Sequence, residues 1–212
     1  MDFALLRRYS IPILDYALVR DLPSAVRAAQ KIRYPVVLKL VSSRFLHKSD
    51  AGALALNVRD RAVLEIEFKR LAKMGGAKEG RGKAAGTISP TILVQAYRPG
   101  RFELIVGGRT DPQFGPVVLL GSGGIYTEVL RDTSLRVCPI GKEEARSMLH
   151  SLKSYPILAG MRGRKPMDEE ALYALLLRVS RLMERERPAE LDLNPVLVRN
   201  DGLWVADVRV LK

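Results

Sequence analysis

Four short apolar segments follow one another between residues 102 and 140 of this chain. They are rich in β-branched or aromatic residues, turn residues separate them, and no amphipathic helical pattern lies between them. The segments are FELIVGG, PVVLLG, IYTEVL and LRVCPI. Strands that directly follow one another indicate a sheet-rich lobe, which limits the folds open to this half of the chain.

Helical and strand patterns alternate on both sides of these segments. Amphipathic helices are predicted at 3–9, 23–32, 60–74, 142–152 and 168–183, the last with Asp168 as its N-cap. Apolar strands are predicted at 34–40 and 91–97, and a hairpin is predicted from strands at 190–198 and 203–210. This order predicts an α+β fold in two lobes.

Positive charge is unevenly distributed along the sequence. The 212 residues have a formal net charge of +12, and residues 1–100 contain 18 Lys and Arg against 8 Asp and Glu. A basic first half suits a polyanionic partner such as nucleic acid or nucleotide phosphates, but a solvated, thermophile-like surface is the alternative. With a single cysteine, Cys138, and no apolar run of about 18 residues, we expect a cytoplasmic protein in which Cys138 is buried.

One of the two histidines lies in the polar sequence FLHKSDAGA, residues 45–53, directly after a predicted apolar strand. Neutral imidazole is nucleophilic near pH 7, and Asp50 could hold the second ring nitrogen of His47 or serve as a turn residue. From the residues alone, a nucleophile and an ordinary hydrogen-bonded loop histidine are both open. The other histidine, His150, lies just beyond the apolar stripe of its helix and is predicted at the surface.

A glycine turn, GSGG at residues 121–124, lies between two predicted strands. Glycine allows positive φ and lets consecutive N–H groups point at one anion, so Gly121, Gly123 and Gly124 are candidates for a phosphate nest. An ordinary tight hairpin is the alternative. The stretch is not a dinucleotide-binding fingerprint, because Tyr126 stands at the third glycine position.

The predicted hairpin of strands 190–198 and 203–210 places polar residues at alternate positions of its first strand. Asp192 and Asn194 share one face, and leucines alternate with them on the other. If the four residues RNDG form the loop, Val198 pairs with Leu203 and Asn194 lies opposite Asp207, whereas other loop lengths make the two polar residues diagonal neighbours or separate them. Such oxygen ligands suit Mg²⁺, and a half-exposed sheet edge is the alternative.

Three longer stretches resemble the ATP-grasp module of the ADP-forming acyl-CoA synthetases. They are YPVVLKLVSSRFLHKSDAGAL, ILVQAYRPGRFELIVGGRTDPQFGPVVLLGSGGIYTEVLRD and AELDLNPVLV. The resemblance implies one ATP-grasp module over residues 1–212, with two α/β lobes and the nucleotide between them. The smaller lobe is expected at about 12–96 and the larger lobe at about 1–11 plus 97–212.

Members of that family make ATP from ADP and phosphate while they cleave an acyl-CoA to the free acid and CoA. The resemblance implies that this chain is the β subunit of a hetero-oligomer, with a CoA-binding α subunit as partner and Mg²⁺ as cofactor. His47 corresponds to the histidine that carries the phosphoryl group between a phosphohistidine of the partner and ADP. Neither a membrane nor nucleic acid is expected as a partner.

Other roles are implied by the same resemblance. Lys39 corresponds to the strand lysine that contacts nucleotide phosphates, Glu103 to the acidic residue near the ribose, and Asp192 to an acidic residue near the phosphohistidine. The remaining correspondences are Gln95, Ala96 and Tyr97 with the hinge that binds adenine through its backbone, the glycine turn and Arg136 with phosphate contacts, and Asn194 and Asp207 with the Mg²⁺ ligands.

Two other functions stay open from the sequence. An ATP-grasp carboxylate–amine ligase activates its substrate as an acyl phosphate and needs no histidine carrier. A basic nucleic-acid-binding module fits the charged first half, although the sequence has no ladder of base-stacking aromatic residues. Two positions depart from the family pattern: Ala53 stands where a glycine is usual, and Ala96 stands where an acidic residue is usual.

Overall fold

The computed structural model describes residues 2–41, 52–76, 90–124, 132–161, 165–199 and 201–212, and the chain divides into two units. One unit is Leu14–Arg98, and the other combines Met1–Ile13 with Pro99–Lys212. The helices are α1 (Phe3–Arg8), α2 (Leu22–Ile32), α3 (Arg61–Gly75), α4 (Lys142–His150), α5 (Tyr155–Leu158) and α6 (Glu169–Glu186). The strands are β1 (Tyr16–Val19), β2 (Val36–Val41), β3 (Leu54–Val58), β4 (Thr91–Ala96), β5 (Phe102–Asp111), β6 (Gly115–Ser122), β7 (Thr133–Val137), β8 (Glu190–Arg199), β9 (Gly202–Val205) and β10 (Val208–Leu211).

The unit Leu14–Arg98 is an antiparallel sheet in the order β1-β4-β2-β3, with α2 and α3 packed on one face. The core under the helices includes Val36, Leu38 and Leu40 of β2, Ala25 and Ala29 of α2, and Leu64, Phe68 and Leu71 of α3. Because side chains alternate along a strand, Val37 and Lys39 of β2 point to the other face. This second face carries Lys39 of β2 and Gln95 of β4, two of the candidate residues of the unit.

Both helices of this unit begin at an aspartate that caps the first turn. The carboxylate of Asp21 accepts a hydrogen bond from Ser24 N at 2.8 Å, and that of Asp60 accepts one from Val63 N at 2.9 Å. The two helices and two strands predicted here are confirmed to within two residues at each end. Strands β1 and β3, which are the edges of the sheet, were not predicted from the sequence.

The second unit contains an antiparallel sheet in the order β10-β8-β5-β6-β7, with β9 also paired to β8. Helix α6 packs on β5 and β6, and α4 packs on α6 and β7. A Cβ atom at Gly108 would lie 2.6 Å from the carbonyl oxygen of Val117 and 2.8 Å from Sδ of Met183, so glycine lets α6 approach the sheet. The predicted α+β class is confirmed, and the predicted strand at 125–130 lies outside the described residues.

Helix α6 is the longest helix of the described residues, and it begins where the sequence predicts. The carboxylate of Asp168 accepts a hydrogen bond from Ala171 N at 3.0 Å, which confirms the predicted N-cap. Cys138 is buried as predicted, and burial raises the pKa of its thiol. Within the described ranges, no helix is both long and apolar enough to cross a membrane.

Candidate functional site

Two polar side chains, Lys39 and Gln95, lie on the face of the first sheet that faces away from α2 and α3. Val37 of β2 pairs with Gln95 of β4, and Lys39 pairs with Leu93, so the lysine and the glutamine are diagonal neighbours on that face. Both are buried, with 7% of Lys39 and 1% of Gln95 exposed. A buried ammonium and a buried amide on one apolar sheet face are costly unless they serve a polar ligand or partner.

The side chain of Gln95 carries a donor that the described residues do not satisfy. Its Nε2 atom is buried and has no hydrogen-bond partner among them. A buried donor without an acceptor costs about 1–3 kcal/mol of stability. Nothing in the sequence pattern marked this side chain, because the resemblance concerned only the backbone of Gln95.

The hinge predicted to bind adenine has its backbone donors engaged inside the first unit. Ala96 N donates to the carbonyl oxygen of Asp15 at 2.9 Å, and Tyr97 N donates to that of Pro35 at 3.1 Å. These two amides therefore cannot bind adenine without breaking backbone hydrogen bonds. The adenine contact stays a prediction, and at Ala96 and Tyr97 it is confined to the carbonyl groups.

In the second unit, the structure brings Glu103 and the glycine turn together. Gly123 N donates to the carbonyl oxygen of Glu103 at 2.7 Å. A Cβ atom at Gly123 would lie 2.9 Å from that same oxygen, so only glycine allows this approach. The side chain of Glu103 is exposed next to the turn, and Gly124 has a φ of +90°.

Two backbone amides of the glycine turn are already hydrogen-bonded within the second unit. Ser122 N donates to the carbonyl oxygen of Asp132 at 3.0 Å, and Gly123 N is used by Glu103. Consecutive N–H groups at these two positions therefore do not point at one anion. A role of the turn in phosphate binding stays a prediction.

Arg136 is not brought to the glycine turn. It pairs with Val118, whose side chain is fully buried, and its guanidinium donates to Leu135 O at 2.8 Å and to Ser147 Oγ of α4 at 3.1 Å. Arg136 also lies three residues, or about 10 Å, along β7 from Thr133, the partner of Gly121. The structure does not support the predicted phosphate contact, because this side chain binds acceptors on the helix-covered face.

The register of the hairpin is the predicted one, but Arg199 and Gly202 also pair, so the loop is shorter than the four residues RNDG. Val198 pairs with Leu203, which confirms that prediction, and on the same alignment Val208 pairs with Leu193. Continuing the register from both sides sets Asn194 opposite Asp207, at the point where the ladder is interrupted between β9 and β10. The side chain of Asn194 is exposed and that of Asp207 is half-buried.

Carboxylates around this interruption influence one another. Burial raises the pKa of Asp192, the negative charges of Glu190 and Asp207 raise it further, and Arg209 opposes them. Asp207 accepts a hydrogen bond from Val208 N at 2.9 Å. Among the described residues, no group of three or more His, Cys, Asp or Glu side chains could hold a metal. The amide oxygen of Asn194 and the carboxylate of Asp207 fit Mg²⁺, which binds one or two protein oxygens together with phosphate and water.

The structure describes one of the two histidines, His150. His47 and Asp50 lie outside the described residues. His150 is exposed, with its Nε2 at 3.5 Å from Oε2 of Glu169 and its ring centroid 4.3 Å from that of Tyr155. The prediction that His150 lies at the surface is confirmed.

Comparison with known proteins matches nearly the whole chain. The family description that fits residues 2–211 is that of the ATP-grasp domain. A subunit of Pyrococcus furiosus, acetate–CoA ligase [ADP-forming] II subunit beta, is 38% identical over 210 residues, which is 97% of this chain and 87% of that protein. Acetate–CoA ligase [ADP-forming] I of Archaeoglobus fulgidus is 42% identical over 97% of this chain, which spans 29% of the length of that relative.

Solved structures show the same similarity. The dinucleotide forming acetyl-coenzyme A synthetase 1 of Ca. Korarchaeum cryptofilum, in complex with coenzyme A, Ca-AMPCP and HgCl⁺, matches with a TM-score of 0.88 and 37% identity over 99% of this chain and 90% of that one. A second structure of that protein contains coenzyme A and Mg-AMPPCP, with a phosphohistidine segment that points towards the nucleotide binding site. It matches with a TM-score of 0.81 and 37% identity over 97% of this chain and 87% of that one.

Proposed function

This chain belongs to the ATP-grasp family and is a homologue of the β subunits of ADP-forming acetate–CoA ligases, and we propose that it relays a phosphoryl group between a partner subunit and ADP. The complete enzyme would catalyse acyl-CoA + ADP + phosphate ⇌ carboxylic acid + CoA + ATP. The partner would be a CoA-binding α subunit, and the enzyme would work in the cytoplasm.

The proposed relay has two balanced steps at His47. A ring nitrogen of His47 attacks the phosphorus of a phosphohistidine on the partner, so a new N–P bond forms while the partner's N–P bond breaks. The terminal phosphate oxygen of ADP then attacks the same phosphorus. An O–P bond forms, the N–P bond of His47 breaks, and ATP and the neutral imidazole remain.

The observation that carries this proposal is the register that sets Asn194 opposite Asp207 beside Asp192. We propose that Asn194 and Asp207 hold Mg²⁺, which would neutralise phosphate charge during transfer. Asp192, whose pKa is raised by burial and by its acidic neighbours, would lie near the phosphohistidine.

Nucleotide binding completes the proposal. The ammonium of Lys39 and the glycine turn would contact phosphate oxygens, and Glu103 would bind the ribose beside that turn. Phosphoryl transfer depends mainly on positioning and on charge neutralisation, which residues of these kinds supply. A solved relative that is 37% identical to this chain contains Mg-AMPPCP and a phosphohistidine segment that points towards the nucleotide binding site, which supports a relay that involves a phosphohistidine and a magnesium nucleotide.

Isotope exchange between ADP and ATP tests the proposal with the full chain alone. Labelled ADP, unlabelled ATP and Mg²⁺ are incubated with the protein, and label in ATP is measured. A histidine carrier predicts exchange with no further substrate, because ATP phosphorylates the chain and ADP takes the group back. Exchange that appears only after a carboxylate is added would contradict the carrier and favour a carboxylate–amine ligase.

The amide of Gln95, whose Nε2 has no hydrogen-bond partner among the described residues, gives a second test. The free energy of unfolding of the Gln95→Met variant is expected to be about 1 kcal/mol higher than that of wild type, because the change removes a buried donor without an acceptor. It is also expected to bind Mg·ATP about tenfold more weakly, because the nucleotide loses that donor. Chemical denaturation and calorimetry measure the two effects, and Gln113→Met in an exposed turn is the control. Unchanged nucleotide affinity in Gln95→Met would contradict a ligand role for this amide.

A further inference from the structure

A buried carboxylate, that of Asp132, lies behind the glycine turn. Only 6% of the residue is exposed. Its Oδ1 accepts a hydrogen bond from Lys153 N at 2.7 Å, and its Oδ2 accepts from Ser154 N at 3.0 Å and from Ser122 Oγ at 2.7 Å. Its own carbonyl oxygen accepts from Ser122 N. Both oxygens of the carboxylate are therefore satisfied by donors from two other segments.

Counting protons limits where the two serine hydroxyls of this cluster can donate. The hydroxyls of Ser122 and Ser154 lie 2.6 Å apart, and either could donate. A serine hydroxyl has one proton, and that of Ser122 is used on Asp132. The Ser154 hydroxyl then donates to Ser122 Oγ or to Asp132 itself, and in both cases the carboxylate of Asp132 is the final acceptor of the two hydroxyls.

The cluster favours an ionised carboxylate. Burial by itself raises the pKa of Asp132, but the bonds from Ser122, Ser154 and Lys153 N outweigh burial and hold the pKa below its usual range. Ionised carboxylate oxygens only accept hydrogen bonds, and each donor in the cluster faces one of them or faces Ser122 Oγ. The negative charge of Asp132 therefore makes its carboxylate the acceptor towards which the hydrogen bonds of the cluster are directed.

Three segments of the second unit meet at this carboxylate. Ser122 ends β6 inside the glycine turn, Asp132 directly precedes β7, and Lys153 and Ser154 connect α4 to α5. The glycine turn has no side chains beyond Ser122 with which to hold itself in place. Its position depends on the Ser122–Asp132 bonds and the Gly123–Glu103 backbone bond, together with the pairing of Gly121 and Ser122 with the neighbouring strands.

We propose that Asp132 is a positioning residue of the phosphoryl-transfer site. It holds the glycine turn in the position in which the turn contacts the nucleotide phosphates. The phosphate role of the turn rests on the proposed function, whereas the attachment of the turn by Asp132 rests on the hydrogen bonds alone. Asp132 touches no substrate, and it acts through Ser122 and the backbone of the turn.

The Asp132→Asn variant tests the attachment without any nucleotide. Asparagine keeps the shape of the side chain but puts an NH₂ group where the carboxylate accepts, so at least one donor of the cluster loses its acceptor. Amide hydrogen exchange at Gly123, Gly124 and Ser154 is expected to become about tenfold faster. The matched control is Ser180→Ala, which removes another buried hydroxyl of this unit, one that accepts from Ile140 N at 3.0 Å. Unchanged exchange at the turn in Asp132→Asn, or equal acceleration in both variants, would overturn the proposal.

Nucleotide binding by the same two variants tests the role in the reaction. Asp132→Asn is expected to bind Mg-AMPPCP about tenfold more weakly than wild type and to bind adenosine equally well, because adenosine has no phosphates to meet the turn. Ser180→Ala is expected to keep both affinities. Equal weakening of both ligands in Asp132→Asn would show a general loss of structure and overturn the positioning role. If wild type binds neither ligand, the proposed function fails, and the exchange result still decides whether Asp132 holds the turn.

Discussion

The His47→Ala variant is expected to lose ADP–ATP exchange by about 10⁴-fold or more, because removing the nucleophile of a covalent relay removes its only intermediate. Thermal unfolding and Mg-AMPPCP binding should stay close to wild type, since the change removes one polar side chain and leaves the nucleotide ligands intact. Rates of exchange for purified wild type and variant, measured at saturating nucleotide, provide the comparison.

His150→Ala is the matched control for this prediction. His150 is the second histidine of the chain, it lies exposed at the end of α4, and it contacts Glu169 and Tyr155 rather than any candidate residue of the site. Exchange in His150→Ala should stay within about twofold of wild type. Full exchange in His47→Ala would contradict the carrier role of His47 and point to another residue of the chain as the phosphoryl acceptor.

The Asp207→Asn variant is expected to lower the rate of exchange by about 10²–10³-fold, or roughly 3–4 kcal/mol of transition-state stabilisation. Asparagine keeps an oxygen ligand but removes the negative charge that binds Mg²⁺ most strongly. The Mg²⁺ concentration that gives half the maximal rate should therefore rise by about 10–100-fold. Titrating the exchange rate with Mg²⁺ at fixed nucleotide separates this shift from a simple loss of activity.

Asp201→Asn is the control within the same hairpin. Asp201 is exposed between β8 and β9 and pairs with Arg199 at 3.1 Å, away from the interruption that contains Asn194. Removing its charge should change neither the maximal rate nor the Mg²⁺ dependence. An Asp207→Asn enzyme with the wild-type Mg²⁺ dependence would contradict the assignment of Asp207 as a metal ligand.

The register between Asn194 and Asp207 could be predicted because a hairpin is a local structure. Alternating leucines in 190–193 select the buried face, and the loop length then decides which residues pair. Both pieces of information lie within about twenty residues. The predicted helices were confirmed for the same reason, since their caps and apolar stripes are local patterns.

Backbone partners of the hinge and of the glycine turn could not be predicted in this way. Ala96 and Tyr97 donate to Asp15 and Pro35, which are about 60–80 residues away in the sequence. The edge strand β1 was also missed, and its four residues are too short to show a clear alternation. A glycine-rich stretch indicates that the backbone can approach a ligand, but the sheet neighbours decide which N–H groups are still available for one.

The direction and burial of side chains explain why the sequence did not predict the surroundings of Arg136 and of Asp132. Arg136 was a plausible phosphate ligand in sequence because basic side chains bind phosphate, but its place on β7 turns it towards Ser147 of α4. The sequence gives no signal for Asp132, because a lone aspartate before a strand resembles an ordinary turn residue. Its burial and its three donors become visible only when α4, α5 and β6 are folded around it.

Locating the phosphoryl group on the chain is the most direct test of the relay. The full-length protein is incubated with Mg²⁺ and γ-labelled ATP, digested at alkaline pH to preserve phosphohistidine, and the labelled peptide is sequenced by mass spectrometry. We expect an acid-labile, base-stable phosphate on His47. Phosphate on any other residue, or an unphosphorylated His47 under conditions in which ADP–ATP exchange proceeds, would contradict the relay.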